Sequence, residues 1–277
     1  MTQKSILITG CSSGIGYDAA HAMRRAGWRV FATCRAEQDC ARLRGEGLES
    51  FVLDYTDEAT MVSALATCLD RTGGTLDALY NNGAIATPGP LEDIPTGALR
   101  EIFETNVFGY HALARLVIPV MRAQGFGRIV NCSSVLGFIA MRWRGPYIAS
   151  KYALEGLTDT LRLEMSDTAI KVILIDPGAI TSDLRKKSIV NFEKWVDWKT
   201  SARSAQYEAT LLRELQKADA EKKPFELPAS AVSEVLLRAL TAPNPKARYL
   251  ISTPTKIFAV LKRLLPDRWL DRIILRA

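Results

Sequence analysis

Gly10, Gly14 and Gly16 stand between a short apolar run, Ser5-Ile6-Leu7-Ile8-Thr9, and a helical pattern carrying Ile15, Ala19, Ala22, Met23 and Ala26. Lacking Cβ atoms, these glycines let the backbone turn sharply out of a strand into a helix and let another group approach closely. The rhythm they start then repeats. Apolar runs of strand length recur at 29–33, 50–53, 76–80, 128–132, 171–175 and 247–251, with helical stretches between. Short, fully apolar strands alternating with helices predict a parallel sheet covered on both faces. The expected architecture is α/β and doubly wound, with a mostly parallel seven-stranded sheet and helices on both faces.

No internal repeat or low-complexity linker divides the chain, so residues 1–277 read as one domain. Two regions depart from the rhythm. The first, about 183–227, contains Trp195, Trp198 and a helical spacing of Tyr207, Leu211, Leu215 and Ala218. An insertion of that size in a compact domain is expected to be a substrate lid or binding loop. The second is a tail at about 254–277. Its positions Ile257, Val260, Leu261, Leu264 and Leu265 share a helical face, followed by Trp269, Leu270, Ile273 and Ile274. Six basic residues (Lys256, Lys262, Arg263, Arg268, Arg272, Arg276) outnumber Asp267 and Asp271 there. Such a tail would suit peripheral contact with a membrane surface, a cover over the chain's own pocket, or a subunit contact.

Composition excludes several classes. A hydrophobic share of 48% and a charged share of 24% are ordinary for a soluble protein. No charged leader precedes an apolar run, and no apolar run is long enough to span a bilayer, so a cytoplasmic setting is expected. The five cysteines show no metal-ligand spacing, which fits a reduced compartment and no metal site. A net charge of +6 suits an anionic cofactor. No basic stripe is interleaved with aromatics, so nucleic acid is not an expected partner.

The run Thr9-Gly10-Cys11-Ser12-Ser13-Gly14-Ile15-Gly16 opens a helix. Helix N-termini offer oriented N–H groups and partial positive charge, and the glycines let a pyrophosphate come close. A dinucleotide site is therefore predicted. An acid at the end of the second strand would bind an adenosine ribose and repel a 2′-phosphate. Here the strand ends Ala32-Thr33-Cys34-Arg35, with a guanidinium suited to phosphate in its place. This favours NADP(H) over NAD(H), with Ser12 or Ser13 adding a hydroxyl to the same phosphate. Further along, Tyr147 and Lys151 are four residues apart and share a helical face. An ammonium beside a phenol favours phenolate, making the tyrosine a usable proton donor and acceptor.

Taken together, these motifs resemble the short-chain dehydrogenase/reductase family, whose Rossmann fold would cover nearly the whole chain. The resemblance implies a role for each matching position. Asp54 would contact the adenine. Asn81-Asn82-Gly83-Ala84 stands where the family has N-N-A-G, with its last two residues exchanged; Asn81 would line the cofactor, and Gly83 or Ala84 would face the adenine ribose. Pro177-Gly178-Ala179-Ile180 would form the turn beside the nicotinamide, and Ser182 would bind the carboxamide. Ser134, thirteen residues before Tyr147, would hydrogen-bond the substrate oxygen. Asn106 would hold a water that relays protons from Lys151, and Lys151 would also bind the nicotinamide ribose.

The resemblance implies an NADP(H)-dependent oxidoreductase acting on a small-molecule carbonyl or alcohol, similar to members that reduce aldehydes, retinoids and hydroxysteroids, and a homo-oligomer. Leu136, Phe138, Ile139, Met141 and Trp143, with Trp195 and Trp198, suggest an apolar pocket, while Arg142 and Arg144 would suit a carboxylate. Two other classes compete: a non-catalytic NADP-sensing module, and a lyase or epimerase on the same scaffold. The sensing module is disfavoured because Asn106, Ser134, Tyr147 and Lys151 are all present together.

Overall fold

The computed structural model describes residues 3–216 and 225–276. Ala218 and the rest of 217–224 within the expected insertion lie outside the described residues. Seven strands form one sheet: β1 Ser5–Ile8, β2 Arg29–Cys34, β3 Glu49–Val52, β4 Ala78–Asn81, β5 Gly127–Cys132, β6 Ile170–Asp176 and β7 Arg248–Leu250. Their order is β3-β2-β1-β4-β5-β6-β7, and every pair is parallel. The helices in chain order are α1 Gly14–Arg25, α2 Glu37–Gly45, α3 Glu58–Thr72, α4 Thr96–Phe103, α5 Gly109–Gln124, α6 Gly145–Glu164, α7 Leu184–Trp195, α8 Ser204–Gln206, α9 Leu212–Gln216, α10 Ser230–Thr241, α11 Thr253–Leu264 and α12 Asp267–Ile274.

Side chains alternate across the strands and so build two cores. Ile6 and Ile8 point into one, packed with Ala19 and Met23 of α1, Leu43 of α2 and Leu236 of α10. Leu7 points into the other, with Met61 of α3, Leu113 of α5 and Leu154 of α6. Covering both faces explains why β1 and β4 are buried along their whole length. The expected fourth strand, 76–80, is observed as Ala78–Asn81. Asp77 does not extend β4; its carboxylate accepts from Ser5 N at 2.8 Å and lies 3.2 Å from the Ser5 hydroxyl that donates to it, fastening the start of β1.

The insertion carries a small core of its own. Phe192, Val196, Tyr207, Leu211 and Leu215 are buried together, and the Trp143 and Trp198 rings pack on Tyr207 at 5.8 and 6.3 Å. Trp195 instead lies on α4. Its Nε1 donates to Glu101 at 2.5 Å, and its ring fills the space over Gly97.

The tail forms α11 and α12. Its first turn packs on the loop after β6, where a Cβ on Gly178 would meet the Ser252 and Thr255 hydroxyls. Beyond that turn, Ile257, Val260, Leu264 and Trp269 are exposed and Leu270 is buried. Most of the expected apolar face is thus not laid over the chain's own pocket. Among the described residues no helix is long and apolar enough to cross a membrane.

Candidate active site

β1 and β4 are neighbours in the sheet, but their connections run to opposite sides. In such sheets a crevice opens beyond the strand tips at this switch point. The glycine turn sits there. Gly10 and Gly14 have φ of +69° and +59°, which favour glycine. A Cβ on Gly16 would lie 2.4 Å from the Gly10 carbonyl oxygen, and one on Gly10 would lie 2.5 Å from Gly83 Cα. The β1–α1 turn therefore rests directly on the Asn82-Gly83 turn after β4. The exchange of glycine and alanine at 83 and 84 suits this contact, because a Cβ at 83 would press on the Tyr55 ring at 3.3 Å.

A polar seam fixes the strand tips. Asn82 N donates to Thr9 Oγ1 at 2.9 Å, and Thr9 Oγ1 lies 2.6 Å from Tyr55 Oη. Tyr55 donates to Asn81 Oδ1 at 2.9 Å, Asn81 to Asn131 Oδ1 at 3.0 Å, and Asn131 to Thr158 Oγ1 at 2.9 Å. Asn81 is fully buried in this seam. Thr9, Tyr55, Asn131 and Thr158 received no role from sequence reasoning. Thr9 lies inside the glycine motif and Tyr55 directly follows Asp54, but neither has a periodic signal of its own.

The remaining cofactor positions surround the crevice. Arg35 is exposed just past the tip of β2. Asp54 is half-buried; one carboxylate oxygen accepts from Thr56 N at 2.9 Å, which holds the turn after β3. Pro177 O accepts from Val135 N at 2.9 Å, joining the loop after β6 to the loop after β5. Ile180 is buried and bridges to Leu227, and the neighbouring Thr181 hydroxyl is bonded to Glu226. Ser182 lies against the glycine turn, 3.0 Å from where a Gly14 Cβ would be. Ile15 packs against the first core from α1.

The four expected catalytic residues come from three elements. Ser134 follows β5 and is 9% exposed; its Oγ accepts from Leu136 N at 3.1 Å and is hydrogen-bonded to the Tyr147 phenol. Tyr147 and Lys151 lie on α6. Lys151 is fully buried; its Nζ donates to Cys132 O at 2.7 Å and stands 5.6 Å from the Tyr147 ring centre and 5.2 Å from that of Tyr110. Asn106 sits in a π-helical turn, Glu104–Phe108, that joins α4 to α5. Its side chain accepts from Ile85 N and donates to Ile85 O, both at 2.9 Å, and donates to Ser150 Oγ at 3.0 Å. Ser150 in turn donates to Tyr147 O at 2.7 Å. Asn106 therefore ties the loop after β4 to the second turn of α6.

The electrostatics differ from the expectation in one respect. Burial, then the nearby Cys132 thiol, pushes the Tyr147 phenol above its ordinary range, while the Ser134 hydrogen bond pulls it down. The expected net lowering of the phenol is not seen, and the Lys151 ammonium donates to Cys132 O. Burial lowers Lys151 to about 8, against the pull of Cys132, Glu155 and Asp176. The two acids form a cluster behind the lysine. Arg248 pairs with Glu155, with Asp176 at 2.9 Å and with Asp159 at 3.3 Å. Burial and then the Glu155 carboxylate push Asp176 up to about 8, against Arg248. Sequence reasoning missed this cluster, whose members lie on α6, β6 and β7.

A cleft of about 530 Å³ opens beside α6, lined in part by Leu91, Met141, Arg142, Trp143 and Thr210. Of the residues expected in an apolar pocket, Met141 and Trp143 line this cleft, beside Arg142 and Arg203; Ser134, Tyr147 and Lys151 are not among its lining residues. Ile139 is buried, and Trp195 is committed to Glu101. Arg144 is paired with Glu214 of the insertion at 2.8 Å rather than facing the cleft as a free cation. Two of the non-glycine residues with positive φ, Trp143 (+66°) and Ser252 (+83°), flank this end of the sheet, so backbone strain gathers there.

Comparison with known proteins agrees with this fold. Residues 4–191 match the family described as short chain dehydrogenase. The chain is 36% identical over 272 residues to the uncharacterized oxidoreductase YbbO of Escherichia coli, covering 98% of this chain and 94% of that one. It is 32% identical to mouse retinol dehydrogenase 16, covering 99% and 88%. It is 30% identical to the NADPH-dependent 3-dehydrocapnine reductase of Ornithobacterium rhinotracheale, covering 96% and 94%.

Proposed function

The chain belongs to the short-chain dehydrogenase family, and from that membership we propose that it moves hydride reversibly between NADP(H) and the carbonyl or alcohol carbon of an apolar substrate. The observation that carries this reading is the meeting of Ser134, Tyr147 and Lys151 beside a glycine cradle at the switch point. The cradle fits a dinucleotide. Gly10 and Gly14 hold the turn at positive φ, Ser13 at the N-cap makes no capping bond, and the first turn of α1 contains no acid to repel phosphate. When bound, the nicotinamide supplies or accepts the hydride.

The protein handles the proton. Tyr147, its phenol kept protonated by burial, donates to the carbonyl oxygen during reduction. Ser134 gives that oxygen a second hydrogen bond. Lys151, as an ammonium, stabilises the phenolate left behind. Because Lys151 is lowered to about 8, it is charged below that pH and neutral above it. Reductive kcat/KM, which reports the free enzyme, should therefore fall as pH rises through about 8. In Lys151→Met it should be low and without that inflection; an unchanged inflection would assign it to another group.

Arg35 supports NADP(H), as does the similarity to an NADPH-dependent reductase. Arg35→Asp should shift the NADPH/NADH preference about tenfold or more toward NADH, since a carboxylate repels the 2′-phosphate and suits a ribose. An unchanged ratio in steady-state kinetics removes Arg35 from cofactor selection. The Met141 and Trp143 side chains in the cleft, and the similarity to a retinol dehydrogenase, support an apolar substrate. The direct test is NADPH consumption against aldehydes, ketones, retinoids and hydroxysteroids. Consumption with at least one class is expected; none with any class would defeat the reading.

A further inference from the structure

A pair of hydrogen bonds joins the lid to the cofactor end. Lys187 lies on α7, the first helix of the lid, and its Nζ donates to Ser13 Oγ at 2.8 Å and to Ser12 Oγ at 3.1 Å. The loop leading into α7 already rests on the glycine turn through Ser182 and Gly14. Ser13 spends its hydroxyl on this lysine rather than on capping α1. Arg42 reaches the same turn, donating to Ser12 O at 2.7 Å, but it is also paired with Glu46 and Asp39.

A hydroxyl that accepts from an ammonium still has its own hydrogen to donate. Lys187, Ser12 and Ser13 therefore form a donor set of one ammonium and two hydroxyls, suited to phosphate oxygens. The set is split between two parts of the fold. The serines belong to the cradle, and the lysine belongs to the lid.

We propose that Lys187 is a phosphate ligand for the dinucleotide, contributed by the substrate lid, so that cofactor binding and lid closure reinforce each other. The proposal rests on the dinucleotide reading above. In the free protein the serine hydroxyls hold the ammonium at the turn. With cofactor present a phosphate becomes its partner, and the ion pair draws α7 onto the cradle. The phosphate is either the pyrophosphate, common to both dinucleotides, or the 2′-phosphate, present only in NADPH.

The test is equilibrium titration of the purified full chain with NADPH and with NADH, for wild type, Lys187→Gln and Lys187→Arg, with a thermal melt of each to check folding. Lys187→Gln should bind at least one dinucleotide about tenfold more weakly at low salt, and Lys187→Arg should keep most of the affinity. The difference between wild type and Lys187→Gln should shrink at about 0.5 M salt. Equal losses for both dinucleotides assign Lys187 to the pyrophosphate, and a loss confined to NADPH assigns it to the 2′-phosphate. NADPH should also slow proteolytic cleavage within 183–216 in wild type, and do so less in Lys187→Gln. Equal affinities for wild type and Lys187→Gln overturn the proposal and leave the dinucleotide reading standing. A wild type that binds neither dinucleotide overturns both.

Discussion

Tyr147→Phe should lower turnover by about 10²–10⁴-fold while leaving NADPH affinity within about twofold. The substitution removes one oxygen and keeps the ring, so the packing around α6 should survive. The Ser134 hydroxyl loses a partner, but its oxygen still accepts from Leu136 N. Lys151 keeps its bond to Cys132 O and its place over the Tyr110 ring. Nothing in the glycine cradle touches the missing oxygen, which is why binding and turnover should separate. Dinucleotide titration and steady-state rates on the same preparation check this. Turnover retained in Tyr147→Phe would require a different proton donor and sink the mechanism.

The second large effect should come from Gly16→Ala. Its Cβ would sit 2.4 Å from Gly10 O and 2.6 Å from Asn82 Nδ2. Neither neighbour can move aside easily. The Gly10 carbonyl belongs to a backbone held at positive φ, and Asn82 Nδ2 donates to Thr9 O at 3.1 Å. The cradle must open to admit the methyl group. A loss of about 1–3 kcal/mol is expected, or about 2–4 °C in Tm for each kcal/mol. Dinucleotide affinity should fall at least about tenfold, because the same movement displaces the N–H groups of the turn. Gly156→Ala is the contrasting case. That glycine lies inside α6 with open space where its Cβ would go, so alanine should stabilise by about 0.5–1 kcal/mol. Similar melting curves for the two variants would contradict this account of the turn.

The parts legible in the sequence were those with local periodicity or fixed spacing. The strands, the glycine turn and the Tyr147–Lys151 pair all report neighbours along one element. Contacts made between distant elements were not legible. Lys187 reaches a serine 174 residues earlier, and no pattern around either residue announces the meeting. Trp195 carries the same aromatic signal as Trp198, yet the former hydrogen-bonds Glu101 on α4 and the latter packs on Tyr207 in the lid core. The tail reads as amphipathic, but amphipathicity does not say what the apolar side meets; most of it here faces outward. The pKa directions were hidden for a similar reason. Spacing places an ammonium near a phenol, but only burial decides how each titrates, and burial depends on the whole fold.

The seam from Thr9 through Tyr55, Asn81 and Asn131 to Thr158 has a consequence for how such a chain can diverge. Each link is a short bond between buried side chains, so the spacing of the strand tips is set before any ligand arrives. The lid is held to the body in another way, by pairs such as Arg144–Glu214 and Lys194–Glu101 at its edges. Those pairs can be exchanged one at a time without disturbing the seam. On the proposed function, the molecule separates a rigid gauge, which would set where hydride is delivered, from a replaceable jaw, which would decide what receives it.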